Sequence, residues 1–378
     1  MVPRSWDIFC RVIDNFGDIG VSWRLARQLT QEHGATVRLW VDGIDSLRAL
    51  CSEIDPVASC QTVQGITVFQ SGEAADFAQP AEVVIETFGC GLPPRYLAVM
   101  AACKKKPLWI VLEYLSAEPW VRAHHGLPSP HPRLDVPRYF FFPGVTVGSG
   151  GVLRERDLLA RREAFGAHAR HQYWARQGFD PAPPAALTLS LFAYPHAPYR
   201  VLLDSLAQGA VPAVVAIPEG PLALRVREAF DAGTGNRYTR GNLELRFVPF
   251  VPQAHYDALL WACDINFVRG EDSFVRAQWA GRPFVWHIYP QDEKAHVVKL
   301  NAFLALYGAG LPQPVAQAVG EFWQAWNGVE GAPPLAEAWH AFAGVQRVLR
   351  QGLGEWQAHL LRLGDVTGNL VKFCQKMI

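Results

Sequence analysis

The sequence predicts an α/β protein built from two doubly wound domains. Short apolar runs rich in β-branched and aromatic residues alternate with segments of helical periodicity, and the alternation restarts after the proline-rich stretch 179–184. The length of 378 residues exceeds the usual size of one hydrophobic core. Near-continuous apolar strands separated by helices are typical of parallel sheets covered on both faces.

The first domain begins with a strand and a helix. Residues 7–13 form a run of β-branched and aromatic residues, and residues 19–32 carry Val21, Leu25 and Leu29 as one stripe at helical spacing. Further buried strands are predicted at residues 36–41, 67–70, 82–87 and 108–112.

Residues 121–143 interrupt this alternation. Several prolines and the aromatic run 139–143 predict a long surface-packed excursion. Three histidines fall in this segment. A metal site needs a defined number and geometry of ligands, and this proline-rich segment lacks clustered acids that could complete one. We therefore interpret the histidines as structural. They are His124, His125 and His131.

The second domain repeats the pattern. Strands are predicted at residues 187–192, 211–217, 245–249, 264–267 and 283–287. Terminal helices are predicted at 335–353 and 356–377. We therefore expect an N-terminal domain at 1–180, a second domain at 185–355 and a C-terminal helix at 356–378 that can pack back on the first domain.

Composition narrows the class of protein. The 35 basic and 35 acidic side chains cancel, which provides no global charge for binding nucleic acid or an anionic membrane. The absence of a signal-peptide pattern and of a membrane-spanning apolar run predicts a soluble cytoplasmic protein. The seven cysteines lack CxxC or Cys/His spacing and are expected to be reduced thiols.

Two acids in the first strand-to-helix connection are the strongest functional signal. Asp14 and Asp18 lie within residues 11–20, where Gly17 and Gly20 permit close approach of other groups. In open α/β sheets, ligands bind outside the carboxyl ends of the strands. Either Asp could instead cap the helix or order a turn. One cap satisfies one helix end, so the pair favours a chemical role.

A second segment, residues 267–281, predicts a phosphate site. A strand ends, an Arg269-Gly270 turn follows, and a helix begins at Asp272-Ser273, where backbone N–H groups, a hydroxyl and the positive end of the helix dipole converge. Asp272 and Ser273 are also good helix caps. Glu271 fits capping less well, and binding of sugar hydroxyls is a plausible use.

The residues of both segments resemble one family over essentially the whole chain. The run 13–20 with 23–26, and the runs 269–273 and 278–284, resemble the EarP family of bacterial protein-arginine rhamnosyltransferases, as do residues 113–118, 190–194 and 287–291. The resemblance implies a GT-B fold, with two Rossmann-like domains facing across a cleft.

The resemblance also implies an activity. Enzymes of this family transfer L-rhamnose from dTDP-β-L-rhamnose to a guanidine nitrogen of an arginine on translation elongation factor P (EF-P), with inversion and without a metal or other cofactor. Asp18 matches the general base and Asp14 the second essential acid, in a loop that includes Asn15, Phe16, Gly17 and Gly20. The donor-binding positions are matched by Phe192, Tyr194, Phe250, Gln253, Arg269, Glu271, Asp272 and Ser273.

Other classes of function stay open on the residues alone. A nicotinamide-dependent oxidoreductase would share the α/β layout, but it should carry GxGxxG directly after the first strand. Residues 89–94 show only part of that spacing. A GT-B-like protein acting on another sugar or acceptor, or a non-catalytic nucleotide-binding module, would share the fold.

Overall fold

The computed structural model describes residues 3–14, 16–71 and 79–378. The chain forms two compact units. The first comprises Met1–Arg156 together with His359–Ile378, and the second comprises Asp157–Ala358.

The first unit is a doubly wound seven-stranded sheet in the order β3-β4-β2-β1-β5-β6-β7. All neighbouring strands pair in parallel except β3 and β4. The strands are β1 Ser5–Cys10, β2 Thr36–Val41, β3 Cys60–Val63, β4 Ile66–Gln70, β5 Val83–Thr87, β6 Leu108–Leu112 and β7 Arg138–Phe141. The helices are α1 Gly17–His33, α2 Ile44–Leu50, α3 Pro94–Ala102, α4 Trp120–His124 and the C-terminal α14 Val366–Met377.

Strand β1 marks the switch point of this sheet. It pairs with β2 on one side and with β5 on the other, so the connections from β1 and β5 leave in opposite directions and open a crevice at their carboxyl ends. The acids predicted to be functional follow β1 directly. The topology thus places them where a doubly wound sheet binds its ligands.

Two predictions for the first unit were wrong in detail. Residues 121–143 are not only a surface excursion, because Arg138–Phe141 pairs in parallel with β6 as the edge strand β7. Helix α1 begins at Gly17 rather than residue 19, so Asp18 lies in its first turn. Strand β7 was not predicted because prolines precede it and because it is half-exposed at the sheet edge.

The second unit has a six-stranded sheet in the order β10-β11-β9-β8-β12-β13, parallel except for β10. Its switch point lies between β8 and β12, where the donor-site residues were predicted. The strands are β8 Leu187–Leu191, β9 Ala213–Pro218, β10 Arg237–Arg240, β11 Leu243–Val248, β12 Ile265–Arg269 and β13 Phe284–His287. The helices are α5 Leu158–Ala164, α6 Ala167–Arg176, α7 Tyr199–Gln208, α8 Pro221–Phe230, α9 Gln253–Ala262, α10 Asp272–Ala280, α11 Ala295–Gly308 and α12 Gln313–Trp326.

The last two helices divide later than predicted. Helix α13 runs without a break over Leu335–Leu363, and the chain turns at Gly364, whose φ of +79° suits glycine. Asp365 then caps α14 by accepting from the Gly368 N–H at 2.8 Å. Gly354 sits inside α13, where its cost of about 1 kcal/mol relative to alanine is tolerated.

We found no helix in the described ranges that combines the length and apolar composition needed to cross a membrane. All seven cysteines are unbridged.

A buried ion pair in the second unit leads to the first testable prediction. The Arg276 guanidinium donates to both oxygens of Asp257, at 2.7 Å and 2.5 Å, and the two side chains are 0% and 5% exposed. Asp257→Ala leaves a buried cation without its carboxylate, so we expect a loss of about 3 kcal/mol in the free energy of unfolding of this unit. Urea denaturation of the wild type and the variant measures this difference in the free energy of unfolding.

The control is an exposed pair in the same unit. Asp204 and Arg240 are 44% and 42% exposed, so Asp204→Ala should change stability by less than about 1 kcal/mol. Equal losses in the two variants would contradict the prediction.

Candidate functional site

Asp18 is held by three hydrogen-bond donors at the carboxyl end of β1. Its Oδ2 accepts the backbone N–H groups of Ile13 and Asp14 at 2.8 and 2.9 Å, and its Oδ1 accepts the Tyr114 hydroxyl at 2.9 Å. The residue is 1% exposed. Both oxygens are therefore engaged with the preceding loop and with Tyr114, so capping of α1 does not explain this acid.

Tyr114 is itself positioned by an aromatic contact. Its ring stacks on Phe88 with the centroids 4.3 Å apart and the planes 14° apart. Phe88 has a φ of +56°, which is uncommon for a bulky residue and is often retained at functional sites. The ends of β5 and β6 thus support the acid that follows β1.

A second carboxylate holds the same loop. Asp42, at the end of β2, accepts the Val12 N–H at 2.8 Å. The adjacent Gly43 makes this approach possible, because a Cβ there would lie 2.6 Å from the Val12 side chain. Three consecutive N–H groups, those of residues 12, 13 and 14, therefore donate to Asp42 and Asp18. The loop backbone is fixed by side chains from two different elements.

Asp14 is half-buried beside Gly17. The Gly17 N–H donates to the Asp14 carbonyl at 2.6 Å, and a Cβ on Gly17 would lie 2.7 Å from the Asp14 Oδ2. The structure thus brings Asp14 and Asp18 together, with Phe16 at the start of α1 and Gly17 and Gly20 inside it rather than in the loop. Asn15, predicted as part of the loop, lies outside the described residues.

Gly17 provides a prediction that separates folding from activity. Gly17→Ala would displace the Asp14 carboxylate, which is the movable end of a side chain, while alanine is compatible with a helix start. We expect an unchanged melting temperature and a decrease in kcat of about tenfold, since small misplacements of reacting groups reduce rates strongly. Thermal melting and initial rates measure the two quantities. A lower melting temperature with unchanged kcat would contradict it.

In the second unit, an arginine contacts the faces of two aromatic rings. The Arg269 guanidinium carbon is 4.7 Å from the ring centroid of Phe192 and 4.7 Å from that of Tyr194. Phe250 lies beside Phe192, with 6.4 Å between centroids. Stacking between aromatic faces orients the planar cation. A charge and a flat apolar surface occur together here, which suits the phosphates and base of a nucleotide.

The start of α10 adjoins this cluster. Helix α10 begins at Asp272, as predicted, after Gly270 with a φ of +58°. The Ser273 hydroxyl accepts the Arg269 N–H at 3.0 Å and donates to the Arg269 carbonyl. Gln253 donates to Asp272 Oδ2 at 3.1 Å, and Glu271 occupies the N-cap position. The predicted donor-site residues thus converge at the carboxyl ends of β8, β11 and β12.

His287 adds a neutral side chain to the cluster. Its Nδ1 accepts the Tyr194 N–H at 3.2 Å, and its ring lies 4.9 Å from that of His196. Burial, together with the smaller effects of the nearby His196 and Arg269, lowers the pKa of His287 to about 3. The ring is therefore neutral at physiological pH and can accept this hydrogen bond.

Sequence reasoning missed several residues of both sites. Tyr114, Phe88 and Asp42 support the first site, and His287 supports the second. The histidines of residues 121–143 make local contacts, such as the acceptance of the Phe142 N–H by His125 Nδ1 at 3.1 Å. Among the residues that the structure describes, His, Cys, Asp and Glu do not come together in a group of three able to hold a metal ion.

Comparison with known sequences finds one family whose members match nearly the whole chain, including both sites. The family model described as "Elongation-Factor P (EF-P) rhamnosyltransferase EarP" matches residues 6–375. A protein-arginine rhamnosyltransferase of Pseudomonas putida is 46% identical over 377 residues, which cover 98% of this chain and 99% of the relative. One from Pseudomonas aeruginosa is 45% identical, covering 96% of this chain and 95% of the relative.

Solved structures show the same likeness. The structure described as the basis for EarP-mediated arginine glycosylation of translation elongation factor EF-P matches with a TM-score of 0.69 and 35% identity, over 99% of each chain. MurG of Acinetobacter baumannii matches with a TM-score of 0.50 and 12% identity, over 99% of each chain. The second likeness concerns the fold alone.

Proposed function

The chain belongs to the EarP family of EF-P rhamnosyltransferases, and from that premise we propose how its residues transfer rhamnose to an arginine of EF-P. It is a protein-arginine rhamnosyltransferase. The donor is dTDP-β-L-rhamnose, and the reaction inverts the anomeric carbon. The observation that carries the proposal is the pairing of a fully hydrogen-bonded Asp18 with a nearby Asp14 at the switch point of the first sheet.

The architecture is the GT-B fold, as the sequence predicted, with a doubly wound sheet in each unit. We assign the acceptor side to the first unit, because its switch point carries the two acids. We assign donor binding to the second unit, because its switch point carries Arg269 and the start of α10. The nicotinamide-dependent oxidoreductase alternative does not survive the family assignment.

Asp18 acts as the general base. A guanidinium has a pKa above about 12, so its nitrogen is a poor nucleophile until a carboxylate orients it and takes a proton. A bond forms between the arginine nitrogen and the anomeric carbon of rhamnose while the bond from that carbon to the diphosphate oxygen breaks. The proton passes to Asp18, and dTDP leaves with the electron pair.

We propose that Oδ1 is the oxygen that takes this proton, and its hydrogen bonds support this choice. Oδ2 is bound by two N–H groups of the backbone, which cannot turn away. Oδ1 is bound by the Tyr114 hydroxyl, which can rotate to admit the guanidinium. Half-buried Asp14 holds the same guanidinium by paired hydrogen bonds.

The leaving diphosphate is stabilised by Arg269 and by backbone N–H groups at the start of α10. Phe192, Tyr194 and Phe250 provide apolar faces for the thymine and sugar. Glu271 and Asp272 accept hydrogen bonds from hydroxyl groups of the donor, while Gln253 orients Asp272. These groups perform the task that a divalent cation performs in metal-dependent transferases. We propose a cytoplasmic location because the acceptor is a translation factor.

Intact-mass measurement of EF-P tests the proposal. After incubation with this protein and dTDP-β-L-rhamnose, EF-P should gain one deoxyhexose, and an EF-P variant with the target arginine changed to lysine should gain none. An unchanged mass, with dTDP binding confirmed by calorimetry, would refute the proposed acceptor or sugar and leave the fold assignment intact.

A further inference from the structure

A pocket of about 240 Å³ lies at the switch point of the first unit, beside the loop that carries the two acids. Apolar side chains that follow β5 form one wall, and charged or polar side chains that follow β1, β2 and β4 form the other. The lining includes Arg11, Asp42, Ser71, Leu92, Pro93 and Pro94. Apart from Asp42, which accepts the Val12 N–H, these residues have no part in the two sites described above.

The loop presents two side chains outward next to this pocket. Arg11 is exposed, and Ile13 is 60% exposed although it is apolar and lies between Val12 and Asp14. Val12 turns the other way, toward Gly43. The N–H groups of residues 12–14 are bound to Asp42 and Asp18, and these hydrogen bonds hold the segment in the conformation that exposes Ile13.

The reach of the acceptor side chain limits where its polypeptide can lie. An arginine side chain extends about 7 Å from its Cα to its terminal nitrogens, given bonds of about 1.5 Å. With the guanidinium at Asp14 and Asp18, the Cα of the target arginine lies within about 7 Å of these acids, and the exposed side chains of Arg11 and Ile13 are next to them along the chain. Because this surface adjoins the reacting acids, the polypeptide that carries the target arginine is the partner expected to contact it.

We propose that Arg11, Ile13 and the adjoining pocket form the surface that docks the EF-P segment flanking the target arginine. The inference rests on the proposed function and adds the recognition of the acceptor to it. Ile13 contacts an apolar side chain of that segment, and Arg11 donates to its carbonyl or carboxylate oxygens. Neither residue takes part in the chemical step.

Steady-state kinetics with Ile13→Ser tests this surface. Serine keeps the backbone N–H that Asp18 accepts and removes only the apolar side chain. We expect the KM for EF-P to increase about tenfold, which is typical for the loss of a partly buried isoleucine contact. The kcat at saturating EF-P and the Kd for dTDP should stay within about twofold of wild type. Ser71→Phe, which fills the pocket, should raise the same KM.

The matched control is Val57→Ser. Val57 is 87% exposed in the same unit and lies outside the pocket lining, so all three constants should be unchanged. An Ile13→Ser variant with an unchanged KM for EF-P would overturn the proposal, and so would one that loses kcat alone. Failure of the wild type to modify EF-P would instead refute the proposed function, so the two failures are distinguishable.

Discussion

Asp18→Asn should reduce kcat at least about a thousandfold while the affinity for dTDP stays within about twofold of wild type. The reduction is expected because general-base catalysis contributes factors of about 10² to 10⁴ and the amide cannot take a proton. The fold should persist, because the amide oxygen can accept the N–H groups of Ile13 and Asp14 while its NH₂ donates to the Tyr114 oxygen. Rates by mass spectrometry and dTDP affinity by calorimetry measure both effects.

Asp14→Asn is the companion variant. Its amide can still accept a hydrogen bond from the guanidinium, so we expect a smaller loss than for Asp18→Asn, together with a higher KM for EF-P. The reverse order, with Asp14→Asn the more damaging for kcat, would assign the base to Asp14. Weakened dTDP binding in Asp18→Asn would count against a role confined to proton transfer.

Arg269→Ala should raise the Kd for dTDP about a hundredfold. The change removes charge-assisted hydrogen bonds to the diphosphate, each contributing about 1.5–3 kcal/mol. Arg269→Lys should recover part of the affinity and leave a loss of about tenfold, because an ammonium lacks the planar face that contacts the rings of Phe192 and Tyr194. Calorimetric titration with dTDP compares the two variants.

The control is Arg225→Ala in the same unit. The Arg225 side chain is 64% exposed and pairs across one helical turn with Glu228, so its removal should leave the Kd for dTDP unchanged. Full affinity in Arg269→Lys would show that charge alone matters at this position. Full affinity in Arg269→Ala would remove Arg269 from the donor site.

The central strands were predictable, and so was the buried edge strand β13, whereas the more exposed edge strands β3, β7 and β10 were not. Strands β2 and β6 were predicted to the residue, β6 as a continuous apolar run that is buried on both faces and β2 as a run interrupted only by Thr36 and Arg38. Strand β10 has the sequence Arg-Tyr-Thr-Arg and is mostly exposed, so it lacks the apolar pattern from which a strand is predicted. It forms because β11 offers an open edge in antiparallel register, which is a tertiary fact rather than a local one.

The site divides in the same way. Asp14 and Asp18 are four residues apart, so their pairing is visible in the sequence. Tyr114 is 96 residues from Asp18, and Asp42 is 30 residues from Val12. Their contacts depend on the order of strands in the sheet, which brings the ends of β6 and β2 to the loop after β1. The proposed catalytic residues are thus easier to predict than the residues that hold them in place.

Asp18 is held by main-chain groups, so the side chains proposed to recognise the polypeptide can evolve independently of the orientation of the Asp18 carboxylate. Because Asp18, the proposed base, is oriented by backbone N–H groups, the side chain at Ile13 can change without moving the carboxylate. Proline is the exception, since it has no N–H to donate. A lineage could therefore change which polypeptide it modifies by substituting side chains of this loop. Its catalytic rate would be kept, because the backbone N–H groups still orient the carboxylate.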